Sequence, residues 1–149
     1  MYIVSACLLG ENVKYSGGNN YSEAVCDFLR DKEYILVCPE VRGGLSTPRE
    51  PSERVGNKVI NKIGEDVTRE FLEGARLSEE DVFKRYAIED IEGAILRRNS
   101  PSCGYGQIYD GTFTGTVTEG NGVFAERLKA LGIKVFNDNN IQELIGEKI

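Results

Sequence analysis

Apolar residues in this chain fall into short runs that alternate with longer amphipathic stretches, and glycine and proline mark the joints between them. Tyr2-Ile-Val-Ser-Ala6, Tyr34-Ile-Leu-Val37, Ala94-Ile-Leu96 and Ile133–Phe136 read as buried strands, and Lys58–Ile63 as a shorter one. Helical spacing appears in Ser22–Arg30, where Val25, Phe28 and Leu29 share a face and Asn20 or Ser22 can cap the start. It returns in Gly122–Gly132 and, at the end of the chain, in Ile141–Ile145. The longest helical pattern covers Glu65–Tyr86, with Phe71, Ala75 and Val82 among its apolar positions and breaks expected at Gly74 and Ser78. Asp110-Gly111 between β-rich flanks predicts a hairpin turn. Strands alternating with helices predict an α/β fold, a mostly parallel sheet flanked by helices in a Rossmann-like three-layer arrangement, with a small β-hairpin near 107–117.

A chain of 149 residues suits one domain, 1–149, large enough to bury roughly two thirds of its unfolded surface. Its net charge is −6 and its basic residues form no stripe, which argues against a polynucleotide partner but not against a small nucleobase-like ligand. No apolar segment approaches membrane-spanning length and no charged leader precedes the first strand, so the expected location is the cytoplasm, away from membranes. Oligomeric state leaves no mark in the sequence. The most restrictive feature is the absence of histidine. Nucleophile–imidazole pairs and histidine-bearing zinc hydrolase or deaminase sites are thereby excluded, and acid–base work falls to carboxylates, hydroxyls, Lys or Tyr.

Cysteine placement then gives the picture its chemistry. Cys7, Cys38 and Cys103 each follow a predicted strand, and in an open parallel sheet the crevice beyond the carboxyl ends of the strands is where ligands bind. Cys26 falls on a predicted helix among apolar neighbours and reads as a small buried hydrophobe outside any site. All four prolines lie in the segments carrying Cys38 and Cys103, stiffening both loops. No CxxC pair is present, so any metal site must be assembled by the fold, with an iron–sulfur cluster and zinc both open as occupants. Around the cysteines stand Glu40, a carboxylate suited to moving protons or to accepting loop amides, and the hydroxyls of Ser100 and Ser102. The Gly43-Gly44 amides are candidates to cradle a substrate, and Arg49, between two prolines, to clamp its carbonyl or anionic group.

Ser5-Ala-Cys-Leu-Leu-Gly10, Cys38-Pro-Glu-Val-Arg-Gly-Gly-Leu45, Thr47-Pro-Arg49, Gly64-Glu-Asp-Val-Thr68, Ser100-Pro-Ser-Cys-Gly104 and Ile108-Tyr-Asp-Gly-Thr-Phe113 together resemble the thiouracil desulfidase family over nearly the whole chain. The resemblance implies a [4Fe-4S] cluster with three protein ligands, matching Cys7, Cys38 and Cys103, whose remaining iron is free to receive the sulfur of a thiolated nucleobase. It implies a desulfidase without net redox change, acting on a small substrate such as 2-thiouracil. The competing expectation is a non-enzymatic α/β ligand-binding module in which zinc or buried thiols brace three loops.

Overall fold

The computed structural model describes residues 1–143. Four parallel strands, β1 (Tyr2–Ser5), β2 (Tyr34–Val37), β5 (Gly93–Leu96) and β8 (Val135–Asn137), form a sheet in the order β2-β1-β5-β8. Tyr2 pairs with Tyr34 on one side and Gly93 on the other, and Ala94 pairs with Val135. β1 and β5 are buried along their full length, which is why they read as continuous apolar runs.

Alternate residues of these strands feed two cores. Tyr2, Val4, Ile95 and Phe136 pack with Val25, Phe28 and Leu29 of α1 (Glu23–Leu29), which Ser22 caps by accepting from the Val25 amide. Ile3, Ala94, Leu96 and Val135 pack with Phe71, Ala75 and Val82 of α3 (Thr68–Phe83) and with Phe124 and Leu128 of α4 (Val123–Ala130). The period-two alternation of the strands therefore places helices on both faces, giving the three layers expected.

α3 departs from the sequence reading by running unbroken through Gly74 and Ser78. Gly74 is there to be touched: α2 (Pro39–Arg42) lies so close that a methyl group at Gly74 would collide with the Pro39 carbonyl oxygen. Gly43 meets α3 in the same way, its missing side chain making room for the Glu70 carbonyl. Close backbone approach, not a helix break, is what this glycine pair provides.

Two small antiparallel hairpins complete the chain, β3 (Ser52–Val55) with β4 (Lys58–Asn61) and β6 (Gln107–Tyr109) with β7 (Val117–Glu119). β3 was hidden by charged Glu53 and Arg54 and the preceding Pro51. The second hairpin reaches further than 117, and Asp110-Gly111 opens a wide loop over 110–116 instead of a two-residue turn. Asp110 makes the bend by accepting from the Thr112 amide and hydroxyl. Residues 141–143 are helical, and the remainder of the expected closing helix lies outside the described residues.

Candidate functional site

The sheet order explains where the cysteines go. β2, β1 and β5 are adjacent, and Cys38, Cys7 and Cys103 follow them in turn, so all three thiols line one cavity of about 390 Å³. Cys7 sits in a tight 3-10 turn (Ala6–Leu9), Cys38 immediately precedes α2, and Cys103 stands in the Ser-Pro-Ser-Cys loop. Cys26 does not line the cavity; it is half-buried on α1 beside the Tyr21 hydroxyl, less enclosed than its apolar neighbours suggested.

The three thiols are free and mutually felt. Burial pushes the Cys103 thiol up to about 12, against hydrogen bonds from Ser5 and Ser102 that favour the thiolate, while the nearby sulfurs of Cys7 and Cys38 push the same way as burial. Burial likewise raises Cys7, opposed by the Asn20 side-chain amide, which donates to its sulfur at 3.4 Å. Cys38 is raised by burial too, opposed by the Val41 amide. One buried and two half-buried sulfurs that would repel one another as thiolates suit a positive, thiophilic partner. Their donor chemistry fits an iron–sulfur cluster. Among the described residues no group of three His, Cys, Asp or Glu side chains is placed to hold a single metal ion.

A polar chain runs along the cavity wall. Glu40, only 16% exposed, accepts at Oε1 from Arg49 Nε at 3.2 Å and at Oε2 from the Ser102 hydroxyl at 2.9 Å. Ser102 lies 3.0 Å from the Ser100 hydroxyl and 3.7 Å from the Cys103 sulfur. The Ser100 oxygen also accepts from the amides of Ser102 and Cys103, which folds the loop that presents Cys103. Ser102 has one hydrogen to share between Glu40 and the Cys103 sulfur; when it donates to the nearer Glu40, Ser100 becomes the donor to Ser102 and the chain points from Ser100 to the carboxylate.

Arg49 reaches the cavity, but its guanidinium is mostly spent on protein. Besides Glu40 it donates to the carbonyls of Ser46 and Val13 and to the Thr47 hydroxyl, which ties three loops together. These contacts give Arg49 a bracing role at the cavity where a substrate clamp was expected. Gly43 and Gly44, expected to cradle the substrate, do not line the cavity, and their amides donate to the Pro39 and Val41 carbonyls within the α2 turn.

Sequence reasoning missed Ser5, Asn20, Glu53 and Phe113, which line the same cavity. Ser5 adjoins Cys7, and Asn20 closes the glycine-rich loop back onto it through its backbone amide, which donates to the Cys7 carbonyl at 3.0 Å. Glu53 sits inside a strand that the sequence pattern concealed.

A model of the 2-thiouracil desulfurase family matches residues 2–140. The protein YbbK of Bacillus subtilis (strain 168), itself uncharacterised, is 38% identical over 156 residues, spanning 97% of this chain and 100% of its own length. The solved structure of TudS, a [4Fe-4S]-dependent thiouracil desulfidase, shares 40% identity and superposes with a TM-score of 0.85, covering 97% of this chain and 94% of that one.

Proposed function

The chain belongs to the 2-thiouracil desulfurase family, and from that premise we propose that it removes sulfur from a thiolated nucleobase such as 2-thiouracil, exchanging it for the oxygen of water. The balance is hydrolytic: thiouracil and water give uracil and hydrogen sulfide, with no electron donor or acceptor. The observation that carries this reading is the delivery of Cys7, Cys38 and Cys103 by three adjacent strands into one cavity beside Glu40.

Cys7, Cys38 and Cys103 are the residues that would hold a [4Fe-4S] cluster. Held by three protein thiolates, such a cluster would supply Lewis acidity toward the substrate sulfur at an iron without a protein ligand. The protein supplies the rest. Glu40 takes the proton from the attacking water at Oε2, the oxygen that the Ser102 hydroxyl now engages at 2.9 Å. Ser102 and Ser100 pass hydrogen-bond polarity along the wall toward that carboxylate and can donate to the substrate ring when it displaces their mutual contact. Arg49 orients Glu40 through Oε1, leaving Oε2 for chemistry. The surrounding apolar side chains, among them Val13, Val37 and Pro101, limit bulk water at the reacting carbon.

Anaerobic reconstitution with iron and sulfide, followed by iron analysis and by sulfide release from 2-thiouracil, tests the proposal. Protein that takes up iron and liberates sulfide with matching uracil supports it. Colourless protein that retains zinc and releases no sulfide would establish the bracing module instead.

A further inference from the structure

Glu53 is buried, 7% exposed, and its Oε1 accepts from two backbone amides, Gly111 at 2.8 Å and Phe113 at 3.1 Å. Both amides belong to the loop over 110–116. The polar side of that loop is laced by its own hydroxyls: Thr112 donates to Asp110, Thr112 and Thr114 lie 2.6 Å apart, and Thr114 and Thr116 lie 2.8 Å apart. Phe113, between those threonines, lines the cavity that holds the cysteines, as does Tyr109 at the loop's entrance.

The backbone of Phe113 is left-handed, with φ 58°, a conformation that costs a bulky residue more than glycine. Gly111 and Gly115, two positions away on either side, are left-handed as well, with φ 97° and 79°. Gly115 has open space around it, and at Gly111 a side chain would collide with Val55, so both bends are made by glycine. Position 113 instead bears the strain of an aromatic side chain that faces the cavity, which points to a use for the ring.

Resting on the desulfidase reading, we propose that Phe113 is the platform on which the pyrimidine ring of the substrate stacks, and that Glu53 is the positioning residue that holds it in place. A planar thiocarbonyl heterocycle presents a face that any aromatic ring can cover, whichever ring carbon carries the sulfur. Phe113 thus confers affinity for the pyrimidine plane, and the product uracil is held by the same contact. Glu53 does its part through the backbone, by accepting two N–H groups, and needs no negative charge to do so.

The test uses the reconstituted holoenzyme, with steady-state desulfuration of 2-thiouracil and calorimetric titration with uracil. Phe113→Ala should raise KM and weaken uracil binding by roughly ten- to a hundredfold, the scale of one lost base–aromatic stack, while kcat and iron content stay near wild type. Phe113→Tyr should restore binding and Phe113→Leu, which keeps the bulk without a π face, should not. Glu53→Ala should reproduce the Phe113→Ala defect, and Glu53→Gln, whose amide oxygen still accepts both N–H groups, should rescue it. Wild-type binding in Phe113→Leu, or a loss confined to kcat, would overturn the platform. Iron-loaded wild type that neither releases sulfide nor binds uracil would instead remove the desulfidase reading, and the platform with it.

Discussion

The Ser102 hydroxyl donates to Glu40 Oε2 at 2.9 Å, joining residues 62 positions apart in the chain. One partner opens α2 after the second sheet strand, the other lies in the loop after β5, and each neighbours a cysteine of the cavity. Carboxylate and hydroxyl are thus fixed to the two segments that carry Cys38 and Cys103, so in the proposed reaction the proton acceptor is held in register with two of the thiols.

Glu40→Gln separates the two functions. The amide preserves the shape and can still accept from Ser102, but it cannot take a proton. Iron content should remain near wild type while turnover falls on the order of a hundredfold or more. Full activity with normal iron would assign the proton to another group. Iron analysis and anaerobic sulfide release on the same samples decide it.

Cys7→Ala, Cys38→Ala and Cys103→Ala should each lose iron and activity together, because two thiolates hold a cubane poorly. Cys26→Ala is the control, since Cys26 stands outside the cavity, and should alter neither property. Absorbance in the iron–sulfur region and iron per chain provide the readout.

Arg49→Met should cost the protein about 3 kcal/mol of stability, the scale of leaving one partner of an enclosed ion pair alone. Its side chain is 8% exposed and ties Glu40 to the Val13 and Ser46 carbonyls. If Arg49 acted chiefly as a substrate clamp, KM would rise while the urea midpoint stayed put. The structure predicts the reverse emphasis, a lowered midpoint with activity falling through a misplaced Glu40.

Gly43→Ala is expected to behave as a packing mutation. Its new methyl group would run into the Glu70 carbonyl on α3, and overpacking of this kind costs about 2 kcal/mol. Denaturant unfolding should show the loss, with KM for 2-thiouracil unchanged in the folded fraction. A selective KM increase would return Gly43 to the substrate.

The sequence by itself determined the elements that carry local signals. Fully buried strands such as β1 and β5 need apolar side chains on both faces, so they stand out as apolar runs. That pattern places three cysteines beyond strand ends, and the absence of histidine limits the acid–base groups to carboxylates, hydroxyls, Lys and Tyr. The quoted motifs also resembled the family that the chain belongs to.

Tertiary structure decided what depends on distance between remote segments. Nothing local says that β1 lies between β2 and β5, and that order alone brings Cys7, Cys38 and Cys103 to one cavity. Gly74 looks like a helix break because a glycine weakens an isolated helix; packed against α2 it becomes the point of closest contact, and the helix continues. Arg49 and Gly43 looked available to a substrate because sequence shows which groups can donate and not which acceptors the fold places beside them. Glu53 was illegible for the same reason, a charged residue in a short strand whose acceptor oxygen finds its purpose only when Gly111 and Phe113 arrive from the other hairpin.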